Sequence, residues 1–143
     1  MGRILAIDYG HKRTGLAVTD PLRITANPLL TLPTQELMTW LDEYMKNNEV
    51  DEVVIGHPTQ LNGEESSSMQ YIRPFARQFR QKFPQTPLRE YDERFTSTLA
   101  HQAMIMGGMK KQQRRDKAVV DKIAATIILE YYLESQRNEG RLV

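Results

Sequence analysis

The apolar run Ile4-Leu5-Ala6-Ile7 ends without a polar break on Asp8, and Gly10, Lys12 and Arg13 follow closely. A strand that is apolar at every position must be covered on both faces, as at the centre of an α/β sheet. The other elements must therefore arrange themselves around it. Its last residue is the difficulty, because burying a carboxylate without a partner is costly. Asp8 is either a turn residue that caps a hairpin beside Gly10 or a ligand for something positive.

The rest of the chain supplies the elements around this strand. Arg3–Asp8 is followed by a turn at residues 9–13 and a second strand, Thr14–Thr19, antiparallel to the first. Asp20-Pro21 marks a further turn, and Ile24–Leu32 gives a third strand, interrupted or ended near Pro28. Thr34–Asn47 is a helix with Leu37, Leu41, Tyr44 and Met45 on one face. Asp51–Gly56 is a short apolar strand reached from that helix, which implies a parallel crossover. Glu64–Phe83 has helical spacing, with Pro74 kinking it or starting a second segment. Leu88–Asp92 is a fifth strand, Thr96–Met106 a helix, and Ala118–Ser135 the final helix. The order βββαβαβαα predicts an α/β fold: a mixed five-stranded sheet with helices on both faces. This is the order of elements in the ribonuclease H-like fold. At 143 residues the chain is expected to form one domain, residues 1–143, with a core that needs no staples.

Composition removes several classes. The absence of cysteine excludes disulfides and thiolate zinc sites and suits a reducing cytoplasm. No apolar run approaches the length needed to span a bilayer, and Met1-Gly2-Arg3 leads straight into the first strand with no signal peptide visible. A net charge of +1 does not by itself call for nucleic acid. Its distribution is more telling: "KKQQRRDK" places Lys110, Lys111, Arg114, Arg115 and Lys117 against the single anion Asp116. Such a run is either a solvated loop or a phosphate-gripping arm.

Two further acidic features stand out. Asp121 lies in "VVDKIAATIILEYYLE", where Ala124, Ala125, Ile128, Leu129 and Tyr132 cluster around its own direction on a helix. Asp121 thus points into or along the packed face, or is a first-turn aspartate favoured by the helix dipole. Asp92-Glu93, in "EYDERFTST", sits where the fifth strand gives way to a helix. These are loop carboxylates, one of them paired with Arg94, or part of a site. In open α/β sheets ligands gather at the carboxyl ends of the strands, and strands one and five would both deliver acids there. Clustered carboxylates repel unless a cation holds them. An all-oxygen ligand set without cysteine favours a hard ion, Mg²⁺ or Mn²⁺, and two such ions suit phosphodiester cleavage. Lys12, Arg13, Arg94 and Lys117 would hold a polyanion around that edge.

Four separated blocks, "AIDYGHKRTGLAVTD", "VIGHP" followed by "NGEE", "YDERFTS" and "KAVVDKIAATIILEYYL", occur in the order and spacing of YqgF/RuvX proteins, and the chain resembles that family over nearly its whole length. The resemblance implies a fold similar to RuvC-type resolvases and ribonuclease H. It also implies nuclease activity, in maturation of the 5′ end of 16S rRNA or, by older analogy, in Holliday junction resolution. It gives metal-binding, catalytic roles to Asp8, Glu93 and Asp121, with Asp92 as a neighbouring candidate, and matches Arg13, Arg94 and Lys117 to basic positions. RuvC-type resolvases carry an acid at the end of the fourth strand, whereas this chain reads Gly56-His57-Pro58 there. Glu93 would take that place, and His57, where leucine is more common, is either structural or an acid–base or substrate contact.

The leading expectation is a metal-dependent endonuclease acting on precursor 16S rRNA, working as a monomer or weak homodimer and leaving a 3′-hydroxyl and a 5′-phosphate. A resolvase of four-way DNA would need two symmetric cuts and hence a dimer. Met104, Met106 and Met109 could offer apolar surface to it, although Met104 and Met106 read rather as core or loop residues. A binding factor without catalysis, for instance in transcription, would keep its affinity on loss of Asp8. Asp8-Tyr9-Gly10 also matches the opening of actin-like and sugar-kinase ATPases, which enclose nucleotide with a second related domain.

Overall fold

The computed structural model describes residues 2–57, 69–92 and 117–141. Its strands are β1 (Arg3–Asp8), β2 (Arg13–Thr19), β3 (Ala26–Pro33), β4 (Val50–His57) and β5 (Leu88–Asp92). Its helices are α1 (Leu37–Asn47), entered through a 3-10 turn at Thr34–Glu36, α2 (Met69–Lys82) and α3 (Lys117–Arg141). The sheet order is β3-β2-β1-β4-β5, which puts the apolar first strand at its centre. β1 pairs antiparallel with β2 and parallel with β4, and β5 extends the parallel side. The mixed five-stranded sheet expected from the sequence is the one observed.

Strand alternation divides the core in two. Leu5, Ile7, Leu16, Val53 and Ile55 face α1 and α2, where Leu37, Leu41, Ile72, Phe75 and Phe79 close over them. Ile4, Ala6, Ala17 and Val54 face α3, meeting Ala125, Ile128, Leu129 and Tyr132. Both faces of β1 are therefore covered, and Ile4, Leu5, Ala6 and Ile7 lose all exposure.

Several boundaries differ from the sequence reading, each for a local reason. Arg13 belongs to β2 rather than to the turn, because it pairs with Pro33. Pro28 does not end the third strand, although the β2–β3 pairing is interrupted by a register shift beside it. It lies on the edge strand, where a missing N–H costs no ladder bond, and pairs with Ala17 at a register shift. Ile24 lies before β3, in a turn organised by Asp20, whose Oδ1 accepts from the N–H groups of Ile24 and Thr25 at 2.8 and 2.7 Å. α2 passes through Pro74 without ending, and α3 runs past Ser135 to Arg141. The helix expected at Thr96–Met106, with Met109 beyond it, and the start expected at Glu64 lie outside the described residues.

The amino end of β1 is locked from below. A register shift between Arg3 and Ile4 leaves Asp51 of β4 out of the pairing with β1. The Asp51 carboxylate accepts the Gly2 N–H at 2.9 Å and pairs with the Arg23 guanidinium. Arg23 also donates through Nε to the Gly2 carbonyl at 3.1 Å, which helps hold its left-handed φ of 58°. The Gly2 N–H first, and then Arg23, hold the Asp51 carboxyl below the usual carboxylate value. A depressed folded-state pKa contributes stability above the unfolded value and loses it as pH falls through the folded one. Asp51→Asn should therefore lower the thermal midpoint at neutral pH. The gap to the unmodified protein should close as pH drops below about 4, as thermal unfolding followed across that range will read.

Candidate active site

At the carboxyl edge of the sheet, β1 brings Asp8 to the surface of the core. Continuing the alternation of Ile4 and Ala6, Asp8 stands on the α3 side. Its partner on β2 is Gly15, at the ~4.5–5.5 Å Cα separation of an antiparallel pair. Gly15 in turn touches α3: a Cβ added there would lie 2.2 Å from the Asp121 carbonyl oxygen. Only a residue without a side chain permits that approach. Asp8 and Asp121 are thereby neighbours across one glycine, although they are far apart in the chain.

Arg13 completes this group. It lies two residues before Gly15 on the same face of β2, and its Nε donates to Asp121 Oδ2 at 2.6 Å. The Asp121 side chain keeps 20% of its exposure and that of Arg13 39%. A pair this open adds little to stability, but it orients both groups and balances charge beside two carboxylates. Asp121 is the fifth residue of α3 and is directed at Arg13, which supports the packed-face reading over the first-turn one.

The turn that carries Lys12 and leads into Arg13 of β2 is fixed by Thr34, a residue that sequence reasoning passed over. The Thr34 N–H donates to the Lys12 carbonyl at 3.0 Å, and its hydroxyl donates to the Gly10 carbonyl. With that proton committed, the 2.9 Å contact between the Thr14 and Thr34 hydroxyls has Thr14 as donor. Gly10 is required as well, since a Cβ there would sit 2.3 Å from the Arg13 carbonyl oxygen. Lys12 is exposed at the same edge. Tyr9, next to Asp8, turns to the α2 side, and burial pushes its phenol above the ordinary value.

On the parallel side, His57 and Asp92 are backbone partners at the ends of β4 and β5, so all three strand ends reach one edge. The side chains of His57, Asp92 and Lys117 lie outside the described residues, as do Glu93, Arg94, Lys110, Lys111, Arg114 and Arg115. Among the described residues no three His, Asp or Glu side chains converge as a metal-binding group. The structure thus brings together Asp8, Arg13 and Asp121, with Lys12 on the adjoining turn. The donors present are carboxylate oxygens on one face, which suit a hard cation. Among the described residues no helix is long and apolar enough to cross a membrane.

A mixed five-stranded sheet of this order, with carboxylates from β1 and the last helix at its carboxyl edge, defines a ribonuclease H-like domain of the kind resolvases share. A solved Thermus thermophilus RuvC in complex with a Holliday junction substrate superposes with a TM-score of 0.58 at 16% identity, covering 94% of this chain and 96% of that one. A fowlpox virus resolvase bound to Holliday junction DNA gives a TM-score of 0.54 at 14% identity, with 94% and 98% covered. The chain belongs to the YqgF/RuvX family: the family model described as "RuvX: Holliday junction resolvase" matches residues 2–135. A Phocaeicola vulgatus protein named "Putative pre-16S rRNA nuclease" is 55% identical over 137 residues, 96% of this chain and 99% of that protein. Relatives of the same name from Porphyromonas gingivalis and Christiangramia forsetii are 53% and 51% identical, over 94% and 93% of this chain and 98% of each relative.

The Gly15 contact yields a direct expectation. Gly15→Ala must push α3 away from β2, and overpacking of this kind costs about 1–3 kcal/mol. Urea unfolding should show that loss, with the denaturant slope unchanged.

Proposed function

We propose that this protein is a cytoplasmic endonuclease, a single domain that matures the 5′ end of precursor 16S rRNA by hydrolysing a phosphodiester at the carboxyl edge of β1. The observation that carries the proposal is the juxtaposition of Asp8 and Asp121 across Gly15, with Arg13 on Asp121, in a chain of the YqgF/RuvX family. The substrate is inferred from the close relatives named above.

Asp8 and Asp121 supply two anionic donors on one face, and Glu93, the first residue after β5, is assigned as the third, with Asp92 as the alternative. We assign these residues to hold Mg²⁺ or Mn²⁺, two ions in the working enzyme. Held by these carboxylates, such ions would supply water activation and stabilisation of the leaving oxygen. The protein's own part is to place the strand and balance its charge. Lys12 stands on the turn fixed by Thr34 and Arg13 at the start of β2, where a phosphate backbone crossing the edge meets them. Arg13 also keeps the Asp121 carboxylate turned toward Asp8's face. Arg94, Lys110, Lys111, Arg114, Arg115 and Lys117 are assigned to the flanking strand as phosphate contacts.

A second reading, resolution of four-way DNA junctions by a dimer, is favoured by the description of the family model. One assay separates the two. Precursor 16S rRNA ends and a four-way junction are incubated with the protein and Mg²⁺, Mn²⁺ or EDTA, alongside Asp8→Asn and Asp121→Asn. The proposal expects rRNA cleavage with either ion, none with EDTA, and a loss of at least roughly 100-fold in each variant, the scale on which charge-stabilising groups act. Cleavage of the junction alone, by a dimer, would give the second reading. Cleavage that persists in Asp8→Asn would remove the site.

A further inference from the structure

On the α2 side of the same edge, the turn after β1 and the first turns of α2 build a feature that the carboxylate site does not use. The His11 ring stacks on Tyr71, with centroids 4.1 Å apart and planes 28° from parallel. Tyr9, the residue after Asp8, packs on Phe75 at 5.0 Å. Phe75 is buried and belongs to the core. Core packing does not explain the outer pair, because Tyr71 retains 38% of its exposure and His11 is exposed.

Tyr71 borders a cavity of about 350 Å³ whose lining includes Tyr9, Phe75, Gln35, Gln70 and Gln78. That volume is within the roughly 300–1,000 Å³ of small-ligand sites. Among the described residues no charged side chain lines it. Three glutamine amides, each offering both donors and an acceptor, surround apolar ring faces. This combination suits a flat, neutral, hydrogen-bonding ring, as nucleobases are read by amide groups and held by stacking. Lys12, exposed, follows His11 on the turn, and Arg73 and Arg77 of α2 line a separate groove together with Glu90.

We propose that the His11–Tyr71 stack and the glutamine-lined cavity behind it receive an unpaired base of the strand whose phosphate crosses the carboxylate edge. The site then selects single-stranded nucleic acid next to the cut. The inference deepens the nuclease reading by naming a substrate feature and rests on it for the path of the strand. Its test needs no cleavage.

Binding is measured in EDTA by fluorescence polarisation. The probes are a labelled single-stranded oligoribonucleotide, the same strand carrying 2-aminopurine, and its blunt duplex. The unmodified protein should prefer the single strand and quench 2-aminopurine. Tyr71→Ala should lose roughly 5- to 100-fold in single-strand affinity, the scale of one base–aromatic stack, and lose the quenching. Tyr71→Phe should keep both. His11→Ala, on an exposed turn, reads the same stack should Tyr71→Ala fail to fold, and its effect should run in the same direction. Unchanged single-strand affinity in His11→Ala and in folded Tyr71→Ala overturns the inference, whatever else the cavity binds. So does equal affinity of the unmodified protein for strand and duplex. Single-strand preference that depends on Tyr71, in a protein that cleaves nothing, leaves the platform standing and removes the nuclease reading. Cleavage combined with unchanged binding in both variants removes the platform alone.

Discussion

Everything at the carboxyl edge depends on how closely α3 approaches β2. Gly15 is the point of contact, where its Cα lies against the Asp121 carbonyl. Ala125 follows one turn on, wholly buried with the sheet residues Ile4, Ala6, Ala17 and Val54, so the helix lies low on the sheet there as well. A helix packed on a sheet through larger side chains would stand further away and carry Asp121 with it. The two carboxylates are neighbours because the residue between them has no side chain. That arrangement would be electrostatically unfavourable without a cation. Among the described residues Arg13 provides one, from the strand that carries the glycine.

The same turn serves both sides of the sheet. Asp8 and Arg13 face α3, while Tyr9 packs on Phe75 and His11 stacks on Tyr71, both of α2. Thr34 fixes the turn from the start of the α1 segment, through one backbone and one side-chain bond. The proposed catalytic and base-holding groups thus share a single short hairpin, rooted at its far end by Asp51 and Arg23. In the proposed mode a strand laid across this edge meets carboxylates and cations with its phosphate, and aromatic rings and amides with its base.

Much of this was legible in the sequence because it is local or periodic. The apolar run Ile4–Ile7 identifies the central strand, and the clustering of Ala124, Ala125, Ile128 and Leu129 identifies the packed face of the last helix. Asp8 and Asp121 were recognisable as carboxylates in apolar surroundings. What could not be read was contact between distant segments. Nothing in "TGLAV" says that Gly15 meets Asp121, and nothing near Thr34 announces the Gly10 carbonyl. Arg13 was placed in a turn because its pairing with Pro33 is a property of the third strand, not of its own neighbours. The His11–Tyr71 stack likewise joins a hairpin to a helix that no local pattern connects. Pro28 is legible in part: the ladder shifts register beside it, but its position on an edge strand lets the strand run on to Pro33.

The central claim is that Asp8 and Asp121 form one cation-binding edge assembled across Gly15. Isothermal titration of Mn²⁺ into the nucleic-acid-free protein tests it most directly. The account predicts saturable binding that is lost or strongly weakened in both Asp8→Asn and Asp121→Asn. Mn²⁺ affinity left unchanged by both substitutions in folded protein would contradict it.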